Sequence, residues 1–243
     1  MGLCRPNFTS KELCMLKLNF SYNQEKDALN WVKQAKDVNP VFDISYQASV
    51  APIPKKILTQ ILKNDDNKSM KIVLDYFNHN QRQSLKEEFI QLKIEALQKL
   101  WHEKGNELTD QLEKIFGPFQ NEKVDAYITT LYICDYDYPK RYFYLSLYHS
   151  LALNFTVIAH ELAHFLFYQN FHKVCQQLGL DENQFQDLKE STTVLLNTQE
   201  FEDILLIEDQ GYEPHQKIRQ LILASWNKER DLRKIVEYLY PVR

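Results

Sequence analysis

The apolar positions of this chain recur with more than one spacing, and each spacing predicts an element. Leu85, Phe89, Leu92, Ala96 and Leu100 follow one another at helical intervals, which predicts an amphipathic helix packed through that stripe. Ser84 and Glu87 read as a capping box at its start, and Gly117–Pro118 marks a break after it. From Val124 the pattern changes. "VDAYITTLYI" and "RYFYLSLYHS" are rich in β-branched and aromatic residues. With "CDYDYPK" as the turn between them, they predict a β-hairpin or two neighbouring antiparallel strands. In the second strand, Phe143, Leu145 and Leu147 would form a buried aliphatic face. Tyr142, Tyr144 and Tyr148 would form a partly open aromatic one. An earlier strand-like stretch, "VFDISYQASV", precedes the turn signal "APIP".

The remaining chain reads as helical. One helix is expected from about Leu151 to about Cys175, with Gly179 as its stop. Asp181 caps the next helix, with Gln184 three residues on, and that helix carries "FQDLKESTTVLLN". A third begins near Pro214, and "ERDLRKIVEYLY" closes the chain. Helices, then strands, then helices suggest the α+β class. The expected division is a mostly helical region over 1–120 and a second region over 121–243, unless the two form one continuous domain.

Length and composition narrow the functions. The chain has 243 residues, 44% hydrophobic and 13% aromatic, enough to build a sizeable core. The formal net charge of -4 gives no electrostatic case for nucleic acid. Cys4, Cys14, Cys134 and Cys175 form no CxxC pair, so a cysteine zinc cluster is not expected. They read as reduced thiols of a cytoplasmic protein, with a Cys4–Cys14 bridge left open. The N-terminus lacks an apolar run, so no secretory signal is expected. The stretch 150–168 is apolar enough to suggest a membrane span, but its His, Glu and His favour a buried core helix, with no membrane partner.

Those three residues carry the candidate chemistry. Between Val157 and Phe167 only His160, Glu161 and His164 can ionise. Burying polar groups without partners costs on the order of 2–7 kcal/mol each. Four helical residues turn through about 400°, so His160 and His164 stack on one face and can share one ion. Zn2+ suits two imidazole nitrogens and a carboxylate oxygen. Glu161, about 100° round the helix, can reach a water on that ion without displacing a ligand. This is the HExxH arrangement of two ligands and a general base. The bland alternative is a helix with two hydrogen-bonded histidines and a salt-bridged Glu161.

The motif His160-Glu161-Leu162-Ala163-His164, following a strand pair, resembles the zincin metallopeptidases, over roughly the second half of the chain. The metzincin pattern would require Gly at 167 and His at 170, where this chain has Phe167 and Asn170. His172 points about 80° away and reads as a surface histidine. The resemblance is therefore to gluzincins, which take a third ligand, a Glu, from the next helix. Glu190 is the expected ligand and Asp187, one turn earlier, its rival. His164 would lie about 16 Å before one helix end and Glu190 about 13 Å after the next helix start, so the two roughly match. The resemblance implies a peptidase acting on a peptide or protein substrate. Zinc on His160, His164 and Glu190 would activate a water, with Glu161 as general base. The strand before the helix would pair with an extended substrate. A downstream Tyr212 or His215 would stabilise the oxyanion, with His149 a weaker candidate and Asn197 a support for a ligand. ImmA/IrrE-like regulators, intracellular proteins acting on repressors, also place a Glu some two dozen residues after HExxH, which leaves a narrow regulatory substrate open. The alternative is a zinc-binding protein with a regulatory or binding role and no proteolysis.

Overall fold

The structure is a computed structural model that describes residues 16–36, 50–120 and 123–241. The strand expected from "VFDISYQASV", apart from Val50, and Cys4 and Cys14 fall outside the described residues. Four strands form one sheet: β1 (Lys17–Ser21), β2 (Lys123–Thr129), β3 (Tyr136–Asp137) and β4 (Tyr142–Ser146), in the order β1-β2-β4-β3. β1 is absent from the expectations above, although Leu16, Leu18 and Phe20 alternate with Lys17, Asn19 and Ser21, the period that half-buries a strand. The helices are α1 (Gln24–Lys36), α2 (Lys55–Lys63), α3 (Asp66–His79), α4 (Gln83–Phe116), α5 (Leu151–Gln177), α6 (Glu182–Thr192), α7 (Gln216–Glu229) and α8 (Leu232–Leu239). Short 3₁₀ turns span Thr193–Asn197, Gln199–Phe201 and Glu213–His215. The architecture is mixed α+β, helix-rich around a small mixed sheet.

The expected hairpin is not formed. β2 and β4 are parallel, with Ala126 opposite Phe143 and Ile128 opposite Leu145. Residues 130–141 are too long a connection for a tight turn. They leave the end of β2 and run back along the sheet edge as β3, which pairs antiparallel with β4. The turn expected at "CDYDYPK" therefore contains a strand. β4 sits inside the sheet, and all five of its residues are buried. Phe143 and Leu145 join the core beneath α4 and α5. The aromatic face is closed rather than open: Tyr144 donates to the Lys26 carbonyl of α1 at 2.9 Å, and the Lys26 ammonium lies 3.9 Å from the Tyr142 ring centroid. Tyr148 lies past the strand end and is exposed.

Layers follow from these faces. Val124, Ala126 and Ile128 of β2 and Leu18 and Phe20 of β1 pack towards α4 and α5. Trp31 and Val32 of α1 pack with Val73 and Phe77 of α3 and Ile61 of α2 in a second cluster. Residues on both sides of position 120 share the larger core.

The α4 helix turns a different face inward from the one its sequence suggests. Ile90, Ile94 and Leu97 are buried, while Leu85, Phe89 and Leu92 are 50%, 58% and 61% exposed. The helix begins at Gln83 after Arg82, which makes no side-chain cap, so Ser84 lies inside the first turn and the expected capping box is absent.

The second half follows its local signals more closely. Ser150 caps α5 by accepting from the Leu153 amide at 3.0 Å. Gly179, at φ +81°, turns the chain, and the Asp181–Gln184 capping box opens α6. By length and composition α5 could cross a membrane, but 67% of its most apolar window is buried inside the protein.

Candidate metal centre

α5 is apolar on every side because β4, α4, α6 and the Thr193–Asn197 turn surround it. His160 and His164 project from one face of it, with ring centroids 4.2 Å apart and planes at 74°. The reversal at residues 177–181 lays α6 against α5, and Glu190, near its end, reaches the two rings. Glu190 Oε1 lies 3.2 Å from His164 Nε2, and Oε2 lies 3.7 Å from His160 Nε2. Two ligands on a tetrahedral zinc, each about 2.0–2.2 Å from the ion, stand roughly 3.3–3.6 Å apart. The observed separations bracket that range, and the ligand atoms of all three residues fall within 4.8 Å of one another. A nitrogen, nitrogen, oxygen donor set at these spacings fits zinc, and His160, His164 and Glu190 are the residues that could hold it.

Glu161 is buried beside this group, and its Oε2 meets no hydrogen-bond donor among the described residues. Burial, reinforced by the Glu190 charge and opposed by His160, pushes its carboxyl up to about 8.

The two histidines are supported unequally. His160 Nδ1 lies 2.9 Å from Asp209 Oδ1. The Thr193 hydroxyl donates to Asp209 Oδ2 at 2.7 Å, and Arg219 Nη1 donates to it at 3.0 Å. Arg219 Nη2 donates to the Asp209 carbonyl at 2.6 Å, and the Asn197 side chain brackets the Asp209 amide and carbonyl at 2.7 and 2.8 Å. Gly211 makes room for this: it sits at φ +59°, and a Cβ there would lie 2.5 Å from the Arg219 guanidinium. A carboxylate on Nδ1 fixes the tautomer and presents the Nε2 lone pair to an ion. Burial alone would depress the His160 pKa, but the Asp209 charge and hydrogen bond outweigh it and hold His160 well above its usual value. His164 goes the other way. Burial pushes it down to about 3, with the His160 charge adding and Glu190 opposing. Its Nδ1 has no partner among the described residues.

The other expected residues fall as follows. Tyr212 is brought near: burial first, then the charges of Glu190 and Glu161, raises its phenol. His215 is not brought into the ligand group. It is buried with Nε2 3.2 Å from Asp187 Oδ1, and its ring meets Tyr212 edge-on at 6.0 Å. Asp187 is thereby engaged with His215, and Glu190 alone of the two completes the cluster. His172 stacks on Tyr168 at 4.7 Å and is half-buried rather than on the surface. His149 is likewise outside the group, its carbonyl accepting from Lys93. Asn197 supports Asp209 instead of touching a ligand. Asp209, Arg219, Thr193, Lys189 and Tyr136 were not foreseen. A ligand histidine commonly meets a carboxylate, a carbonyl or water on its second nitrogen, and no spacing says which group supplies it.

Comparison with family models, curated proteins and solved structures gives no match to this chain.

Proposed function

We propose that the protein is a zinc-dependent peptidase of the gluzincin type. The observation that carries the reading is the convergence of His160 Nε2, His164 Nε2 and the Glu190 carboxylate at ligand-to-ligand spacing, with the orphaned Glu161 carboxylate beside them. Zinc, when bound, supplies a Lewis acid that lowers the pKa of a water there toward about 7 and polarises a carbonyl.

The chain's own residues do the rest. Glu161 accepts a proton from the attacking water and delivers it to the amine nitrogen as the C–N bond breaks. Asp209 keeps His160 in the ligating tautomer. Tyr212, whose phenol feels the charges of Glu190 and Glu161, donates to the developing oxyanion. An extended substrate pairs along β3, the edge strand next to β4, and not along the interior β4. Tyr136 of β3 packs 5.5 Å from the His164 ring, which brings that edge beside the ligand cluster.

The test is metal analysis of the wild-type protein beside His164→Ala and Glu190→Ala, followed by cleavage of a peptide library. Stoichiometric zinc in the wild type, lost in both variants, is expected. So is cleavage that Glu161→Gln lowers by about 10²–10⁴-fold while keeping its zinc. Zinc without cleavage of any peptide would replace this reading with a zinc-binding regulatory module.

A further inference from the structure

Lys189, next to the third ligand in sequence, is 2% exposed and has no part in the mechanism above. Its ammonium lies 3.1 Å from Glu190 Oε1 and 2.6 Å from Gln186 Oε1. It also donates to the Tyr136 hydroxyl, and it sits 4.7 Å from the centroid of that ring. Among the described residues Glu190 is the one carboxylate within ion-pairing distance of it. The oxygen it holds is the same Oε1 that stands 3.2 Å from His164.

We infer that Lys189 is a resident counter-cation of the third ligand. It holds the Glu190 carboxylate in place when no metal is bound, and it weakens the metal when one is. The physical case has two parts. A buried carboxylate without a cation is costly, and Lys189 supplies the cation from the protein itself. A divalent ion among His160, His164 and Glu190 must then sit within a few ångströms of a fixed positive charge that water scarcely screens. Lys189 is a positioning residue for Glu190 and also its competitor for charge. This rests on the metal site proposed above, and it adds that the site is tuned below the affinity its three ligands could reach.

The direction of the effect separates this role from a merely structural one. Removing a side chain needed only for packing loosens a metal site, whereas removing a competing cation tightens it. Zinc affinity is measured by competition with a chromophoric chelator for the wild type, Lys189→Met, Lys189→Gln and Lys189→Arg. Lys189→Gln keeps a donor for the Tyr136 hydroxyl without the charge, and serves if Lys189→Met does not fold.

Roughly tenfold or greater tightening is expected in the uncharged variants and none in Lys189→Arg. Thermal unfolding gives a second readout. The uncharged variants melt lower than wild type without metal, and zinc raises their melting temperature by more. Unchanged or weaker zinc binding in the folded uncharged variants would overturn the inference and leave the metal site standing. A wild-type protein that binds no zinc would overturn both.

Discussion

Helices α4 and α5 pack side by side, and both are long, yet they use apolar residues in opposite ways. α4 meets its neighbours along one face. It buries Ile90, Ile94, Leu97, Leu108 and Leu112 and leaves Leu85, Phe89 and Leu92 to solvent. α5 is enclosed from Asn154 to Phe167, with only Val157 and His160 partly open. On α4 most polar side chains lie on the exposed face and can be satisfied by water. On α5 a polar side chain must find a partner from another element, and the partners it finds, Glu190 and Asp209, build the site. A cluster of interacting polar groups thus arises where a helix is too buried for water to satisfy it.

Substitutions can break or sharpen this contrast. The largest effect is expected in the shared core. Leu162→Ala in α5 and Leu97→Ala in α4, both almost fully buried, should each cost about 2–5 kcal/mol of unfolding free energy in denaturant titrations. A loss below 1 kcal/mol at Leu162 would mean that α5 is not enclosed as described.

Asp209→Asn comes next. Replacing the charged acceptor that orients His160 with a neutral amide should lower zinc affinity by about ten- to a hundredfold in chelator competition. An unchanged affinity would show that His160 needs no outside partner.

Acidity sharpens the same point. Without metal, His160 is held protonated well above its usual pKa by Asp209, against its burial, and Glu161 keeps its proton up to about 8. His164, pushed down to about 3, is already neutral. Zinc needs a neutral His160, and its charge favours an ionised Glu161, so binding near pH 7 should release more than one proton. Affinity should therefore rise as pH rises through neutrality, by more than about tenfold per unit, for as long as His160 still has a proton to lose. Calorimetry in two buffers of different ionisation enthalpy counts the protons, and a count near zero would contradict the charge assignment. In Asp209→Asn the count should fall, because the strongest hold on the His160 proton is then gone and only Glu190 and Glu161 favour it.

The smallest effect belongs to the exposed stripe. Phe89→Ser and Leu92→Gln should change stability by no more than about 0.5 kcal/mol. A loss like that at Leu97 would show that the stripe is covered in solution.

How much was legible depended on the range of the interaction. The α5 boundaries, the Asp181–Gln184 box and the stacking of His160 on His164 follow from contacts a few residues apart, and they read directly from the chain. That Glu190 meets the two histidines was legible for a related reason. One reversal at Gly179 joins two rods of known rise, so their facing residues can be matched by length. The sheet was less legible. Whether β2 and β4 run parallel depends on where residues 130–141 travel, and the aromatic face of β4 is closed only because α1 returns to cover it. On α4 the residues 85–100 offer two apolar stripes, and periodicity alone cannot choose between them.

The sequence by itself determined that two imidazoles and a carboxylate share an apolar helix, because helical geometry fixes what neighbours what at three and four residues. Tertiary structure alone decided that Asp209 holds one ring, that Lys189 holds Glu190, and that β3 is the edge beside them. Those pairings join residues far apart along the chain, and packing, which no local spacing encodes, chooses among the acids and bases that could have made them.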